Sequence, residues 1–209
     1  MRAQSEQELA KHFISHFADQ DLYFEVPAAG IIDIVMKSGQ VITAIEVKTS
    51  FNFGVLEQAI KNKGYAHYSY IAVPSARKRW FQEQVCKDYG VGLLECEHSQ
   101  WDDRWIVREI IAPRLNRRVV KIKLQEYHKE SVAGSQHERM TSFKHFVRQL
   151  QQTVSRYPQG VAFQDVFKMG ITHYSSMSSF KSCLAKYIAQ GIITGLRVEN
   201  GMIYPNKVK

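Results

Sequence analysis

The segment from Ile31 to Ser50 constrains the fold of this chain most, because charged residues interrupt an otherwise apolar stretch there. Its runs of apolar and β-branched residues predict two strands, Ile31–Met36 and Val41–Val47. Residues 37–40, Lys-Ser-Gly-Gln, have the composition of a hairpin turn. The segment therefore predicts an antiparallel hairpin within a half-buried sheet.

Three ionisable side chains lie in this hairpin, Asp33 in the first strand and Glu46 and Lys48 at the end of the second. Strand side chains alternate between faces, so Glu46 and Lys48 share a face and the folded hairpin brings Asp33 beside them. Burying such charges is costly unless they are paired or bind a metal. Two carboxylates suit Mg²⁺ or Mn²⁺, and a neighbouring lysine can stabilise charge on a phosphate. The residues thus predict a hydrolytic metal site that acts on a phosphodiester.

Asp33, twelve intervening residues and then Glu46-Val47-Lys48 resemble the core motif of the PD-(D/E)XK nuclease superfamily. That superfamily includes many restriction enzymes, archaeal Holliday-junction resolvases and the end-cleaving subunit of Tn7-type transposons. The proline that usually precedes the aspartate is replaced here by Ile32. The resemblance implies one or two Mg²⁺ or Mn²⁺ ions held by Asp33, Glu46 and the Val47 carbonyl, with Lys48 stabilising developing charge. The motif is short, and a surface hairpin with no activity also fits it.

Two further residues are candidates through the same resemblance. Glu6 falls on the apolar face of a helix predicted over residues 5–17, and resolvases of the superfamily carry an acidic residue in a similar Glu-x-Glu-Leu context. Glu6 is therefore a candidate metal ligand and catalytic residue, although a glutamate in a first helical turn is also favoured by the helix dipole. Gln58 lies on the helix predicted over 55–64, where many superfamily members have a catalytic glutamine; an ordinary surface glutamine is the alternative.

The order of predicted elements over residues 1–112 is αβββαβαββ, which indicates an α/β fold with a mixed sheet flanked by helices. This order is similar to the restriction-endonuclease-like core, so we assign residues 1–112 to a nuclease-like domain. The same element assignment predicts the burial of particular side chains. Glu25 alternates with apolar neighbours in its strand and is expected to face solvent, and Trp80 and Phe81 are expected on the buried side of their helix.

Charge is distributed unevenly along the 209 residues. Residues 1–112 contain 12 Lys and Arg against 15 Asp and Glu, whereas residues 113–209 contain 16 against 5. Such a basic half favours a polyanionic partner, and we expect this partner to be DNA. The sequence has no apolar run of membrane-spanning length and no signal-peptide pattern. Its three cysteines lack zinc or CxxC spacing, so the chain is expected to be a cytoplasmic protein.

Residues 113–140 are basic and then rich in small polar residues, so they are predicted to form a basic linker. Arg117, Arg118 and Lys121 are its candidate DNA-backbone contacts. The alternating stretch Val119–Leu124 also fits a strand.

Residues 141–209 predict three helices followed by a β-hairpin around Glu199-Asn200-Gly201, which is the layout of a winged helix, a small α+β domain. In that layout the third helix enters the DNA major groove with its N-terminal residues. The candidate DNA contacts are accordingly Ser175, Ser176, Ser178 and Lys181 on this helix and Arg197 on the wing. Winged helices also bind proteins, and the basic charge favours DNA.

The sequence therefore predicts a Mg²⁺-dependent DNA endonuclease with a winged-helix DNA-binding domain, acting alone, as a homodimer or with a partner protein. One alternative is a non-catalytic regulator or assembly factor on a nuclease fold. The other is the cleavage subunit of a transposase-like complex, because the Tn7-type subunit has a similar arrangement.

Overall fold

The computed structural model divides the chain into two compact units, Met1–Met140 and Thr141–Lys209. The first unit contains a six-stranded sheet and the second a small three-stranded sheet. The structure describes residues 5–99, 101, 104–135 and 139–206. Within these ranges no helix is both long enough and apolar enough to cross a membrane.

The first unit alternates strands and helices in the predicted order. Its elements are α1 (Glu6–His16), β1 (Asp21–Pro27), β2 (Ile31–Ser38), β3 (Val41–Val47), α2 (Phe53–Asn62), β4 (Tyr68–Pro74), α3 (Trp80–Tyr89), β5 (Gly92–His98), β6 (Trp105–Ile111) and a 3₁₀ turn, Glu126–Glu130. Helix α1 begins at a capping box, in which Ser5 and Glu8 bond reciprocally.

The sheet of the first unit has the strand order β1-β2-β3-β4-β5-β6. Strands β3, β4 and β5 are parallel, and the remaining neighbours are antiparallel. Helices α2 and α3 connect the parallel strands, as crossover connections do. The predicted hairpin and the mixed α/β sheet flanked by helices are therefore confirmed.

Three apolar clusters hold the two faces of this sheet. Helix α1 buries Leu9 and Phe13 against Ile45 and Val47 of β3 on one face. On the other face, helices α2 and α3 pack over β4 and β5. A third cluster joins β1, β2 and β3 around Ala44.

Segment 113–140, predicted to be a linker, belongs to the first unit, and its described residues pack there. Its backbone bonds to the loop after α2, with Val120 N donating to Gly64 O over 2.8 Å. Ile122 and Leu124 cover the cluster around β1–β3, and Ala133 is buried against α1. The linker prediction was wrong because it followed the basic residues, whose charges face solvent. The apolar residues between them pack on the sheet and on α1. Residues 119–124 do not form a strand either.

A second difference concerns α3. This helix begins at Trp80, and both Trp80 and Phe81 are exposed, at 76% and 57%. The prediction that they are buried was wrong, because the helix turns its Cys86 side to the sheet.

The second unit is built from three helices and three short strands. Its elements are α4 (Ser142–Val154), β7 (Val161–Ala162), α5 (Phe163–Lys168), α6 (Met177–Ala189), β8 (Leu196–Glu199) and β9 (Met202–Pro205). The strands pair antiparallel in the order β7-β9-β8 around a core of aromatic and aliphatic side chains. The β8–β9 turn has positive φ at Asn200 (49°) and Gly201 (75°), as a tight hairpin turn requires.

Candidate active site

The carboxylate of Asp33 lies where the ladder between β2 and β3 ends. The last described pair is Ile34 with Ile45, so the next pair in register is Asp33 with Glu46. Beyond it the Val47 N–H donates to Asp33 Oδ2 over 2.8 Å, in place of a backbone bond to β2. The Asp33 side chain is thereby fixed at the carboxyl end of β3. Burial raises the pKa of Asp33, and this effect exceeds the opposing influence of Lys48 and of the Val47 N–H.

Lys48 joins Asp33 to the first helix. Its Nζ lies 3.4 Å from Asp33 Oδ2 and 3.1 Å from Glu6 Oε2. Glu6 thus reaches this site from α1, on the helix side predicted from the sequence. Burial lowers the pKa of Lys48, but the Asp33 and Glu6 carboxylates outweigh burial and leave that pKa raised. Lys48 is therefore a cation at neutral pH.

Glu46 is almost completely buried, and its side chain points away from α1. Its neighbours Ile45 and Val47 pack on the α1 face, so alternation directs Glu46 to the α2 face. There Asn62 Nδ2 donates to Glu46 Oε1 over 2.6 Å. The other oxygen, Oε2, is buried and receives no hydrogen bond from a described residue. Burial, reinforced by the nearby Asp33 charge, raises the pKa of Glu46 to about 8, so it holds a proton at neutral pH.

Glu25 is a member of the site that the sequence analysis missed. The pairs Phe24–Ile34 and Val26–Ile32 flank it, which places Glu25 opposite Asp33. Its φ of 53° is rare for a residue with a side chain and breaks the regular alternation of β1. The carboxylate is buried and accepts a 2.8 Å bond from Gly134 N. The expectation that Glu25 faces solvent was therefore wrong. Burial, and secondly the Asp33 charge, raise its pKa.

Gln58 is exposed and does not face the sheet, which agrees with the alternative of an ordinary surface glutamine. Helix α2 buries Val55, Leu56, Ala59 and Asn62, and Gln58 lies about a quarter turn from the centre of that face. The amide that contacts the site is that of Asn62, one turn later. The sequence contained a signal for Asn62, because it lies at helical spacing from the apolar residues Val55 and Ala59 and so falls on the same face of α2.

The oxygen atoms of Asp33, Glu46 and the Val47 carbonyl are ligands of the kind that a hard divalent cation takes. Within the described ranges, no group of three or more His, Cys, Asp or Glu side chains is arranged to hold a metal ion. Asp33 and Glu46 offer two carboxylates, and the unbonded Glu46 Oε2 is a buried oxygen that a cation would satisfy. The Val47 carbonyl points to the same side as the Val47 N–H that Asp33 accepts. Mg²⁺ typically takes one or two carboxylates and keeps several waters, so these residues fit that ion.

The candidate DNA contacts lie on the surfaces of both units. Arg117, Arg118 and Lys121 are exposed on the first unit. In the second unit Ser175, Ser178 and Lys181 are exposed around the start of α6.

Two of these candidates have internal partners. Ser176 is the N-cap of α6 and accepts a bond from Ser179 N over 3.2 Å, so part of its hydrogen-bonding capacity is used within the helix. Arg197 pairs with Glu199 over 3.1 Å and lies over the Tyr204 ring.

Comparisons of this chain with models of protein families, with curated proteins and with solved structures found no match.

Proposed function

We propose that this protein is a metal-dependent DNA endonuclease. In this proposal the first unit has a PD-(D/E)XK-like fold and hydrolyses phosphodiester bonds, and the second unit is a winged helix that binds DNA. One observation carries the proposal: the Lys48 ammonium contacts Asp33 beside the buried Glu46, whose Oε2 has no hydrogen-bond donor among the described residues. Such a costly group of charges has no evident value for stability alone.

Each residue of the group has a role that follows from its contacts. Asp33 and Glu46, with the Val47 carbonyl, would hold Mg²⁺ or Mn²⁺, and Asn62 keeps the Glu46 carboxyl oriented. The ion would lower the pKa of water and neutralise charge on the phosphate. Lys48 carries a raised pKa, which suits a cation that stabilises developing negative charge better than it suits a base.

Glu6 and Glu25 position the groups that meet the phosphate. Glu6 contacts Lys48 Nζ over 3.1 Å and so fixes the direction of the ammonium. Glu25 lies behind Asp33 and is anchored by Gly134. In this proposal Glu6 also remains available to a second ion.

The charge and the element order of the second unit support DNA binding. Residues 141–209 contain nine Lys and Arg against two Asp and Glu, a net charge of +7. Three helices and an antiparallel hairpin match the layout of a winged helix, with α6 as its third helix. The exposed Ser175, Ser178 and Lys181 lie where such a helix contacts DNA.

Nicking of supercoiled plasmid by the full chain tests this proposal. We expect cleavage with Mg²⁺ or Mn²⁺, none with EDTA, and a loss of at least about 100-fold in Lys48→Ala and Asp33→Asn. Lys61→Ala, an exposed lysine of α2 paired with Glu57, is the matched control and should cleave normally.

Two outcomes would change the assignment. If the wild type binds DNA but cuts no DNA form with either metal, the protein is a non-catalytic DNA-binding factor. If cleavage appears only after a partner protein is added, it is one subunit of a larger complex.

A further inference from the structure

Three large aromatic side chains are exposed where helices α2 and α3 begin. Phe53 is the first residue of α2 and is 76% exposed, while Trp80 and Phe81 begin α3 with exposures of 76% and 57%. We call Phe53, Trp80 and Phe81 the aromatic platform. Aromatic residues of this size normally bury much of their surface, so their exposure points to a ligand.

A buried ion pair holds part of the platform in place. Arg79 Nε lies 2.8 Å from Glu95 Oε1, both side chains are largely buried, and the Arg79 guanidinium also donates to the Pro74 carbonyl. These contacts tie the start of α3 to the end of β4 and the middle of β5. Trp80 and Phe81 follow Arg79 directly, so they are presented outward from a fixed position.

The charge beside the platform is positive. Arg77 and Lys78 are exposed immediately before Arg79, whereas Glu83, the acidic residue of the first turn of α3, is partly buried. Exposed aromatic side chains next to exposed cations combine the two interactions that bind single-stranded nucleic acid, namely base stacking and attraction of the phosphate backbone.

The platform and the candidate active site both lie at the carboxyl ends of the parallel strands. Glu46 and Lys48 lie at the carboxyl end of β3, and α2 begins five residues after Lys48. Helix α3 follows the carboxyl end of β4, which is the neighbour of β3 and parallel to it. Neighbouring strands lie about 4.8 Å apart, so a nucleic acid strand passing the site reaches the platform within a few nucleotides.

We propose that the aromatic platform stacks against unpaired bases of the DNA substrate, with Arg77 and Lys78 contacting the adjacent phosphates. The proposal rests on the proposed nuclease function and narrows its substrate to DNA that has unpaired bases near the cleaved bond, such as an end, a flap or a junction.

A protein partner is the competing occupant of this region. A groove of about 420 Å³ between α2 and α3 is lined mainly by apolar side chains that include Phe53, Leu56 and Val85. The basic residues favour the nucleic acid, because they adjoin Trp80 and Phe81, which do not line the groove.

The test compares two DNA probes with the full chain in EDTA, where binding is measured without cleavage. One probe is a duplex with a single-stranded thymidine overhang, and the other is the fully paired duplex of equal length. We expect the wild type to prefer the overhang probe. Trp80→Ala should weaken overhang binding about 10-fold or more, and Trp80→Ala/Phe81→Ala should reduce it to the affinity of the paired duplex.

Tyr89→Ala is the matched control, because Tyr89 is 53% exposed and lies at the opposite end of α3 from Trp80 and Phe81. It should keep the overhang preference, while Arg77→Ala should lower the salt dependence of overhang binding by about one unit.

Equal overhang binding by the wild type and the double variant would overturn the proposal. A change in self-association or in protein binding, with overhang binding unaltered, would overturn it in favour of a protein contact. A protein that prefers the overhang but never cleaves would refute the nuclease function and leave the stacking surface intact.

Discussion

The two units of this protein treat charge in opposite ways. All nine buried polar or charged residues among the described positions lie in the first unit, including Glu25, Asp33 and Glu46. The core of the second unit consists of aromatic and aliphatic side chains. Residues 1–140 carry 19 Lys and Arg against 18 Asp and Glu, whereas residues 141–209 carry nine against two.

The buried charges of the first unit act at short range, whereas the surface charges of the second unit act at long range. Buried carboxylates act on what touches them and reduce the stability of the fold that holds them. Surface cations attract a polyanion over a distance set by salt and add little to folding. The contrast agrees with a first unit that cleaves and a second unit that binds.

The largest expected effect tests whether the two cores are independent. Leu184→Ala removes a fully buried side chain of α6 and should lower the free energy of unfolding of the second unit by about 2–5 kcal/mol. Hydrogen exchange of amides in residues 141–206 measures it, with exposed Lys186→Ala as the control. An equal increase in exchange in the β3 and β4 amides would show that the two units unfold together.

A smaller effect concerns the pH dependence of the stability of the first unit, which Glu46 determines in part. The pKa of Glu46 is raised to about 8, so the folded state keeps a proton that the unfolded state loses above its ordinary pKa of 4.5. Stability in EDTA should therefore fall as the pH rises from about 5 to 8. In Glu46→Gln this loss should be smaller by a free energy on the order of 2 kcal/mol.

Chemical denaturation at several pH values measures this difference. Glu57→Gln, an exposed glutamate paired with Lys61, is the control and should follow the wild type. Parallel pH profiles for the wild type and Glu46→Gln would mean that the Glu46 pKa is not raised.

The smallest effect concerns the surface charge of the second unit. Lys181→Ala should weaken binding to all DNA sequences about equally and reduce the slope of log affinity against log salt by about one. Fluorescence anisotropy over a salt series measures the slope, with Lys61→Ala as the control. A change confined to one DNA sequence would instead indicate that Lys181 contacts a base.

Local patterns predicted much of the fold. The hairpin at 31–47, the helix after Ser5 and the turn at Asn200-Gly201 follow from alternation, capping and turn preferences that operate over a few residues. The pairing of β2 with β3 places Asp33 next to Lys48, as predicted. Glu46 and Lys48 do not share a set of partners as expected, because Glu46 turns to Asn62 of α2 while Lys48 contacts Glu6 of α1.

The remaining parts of the site depend on contacts that no local pattern contains. Glu25 is buried through a positive φ and a bond from Gly134, which is 109 residues away in the chain. Trp80 is exposed because α3 turns its Cys86 side to the sheet, and the start of this helix is held by the pair of Arg79 with Glu95 from a separate segment. Asn62 reaches Glu46 because it lies on the buried face of α2, whereas Gln58 is exposed.

Titration of the full chain with Mn²⁺ by calorimetry, at pH 7 and in buffers of different ionisation enthalpy, tests the central claim most directly. Because Glu46 has a pKa of about 8, binding to Asp33 and Glu46 should release close to one proton. Asp33→Asn should weaken binding at least about 10-fold, and Glu46→Gln should abolish the proton release. Absence of binding by the wild type, or equal binding by Asp33→Asn, would contradict a metal site at these carboxylates.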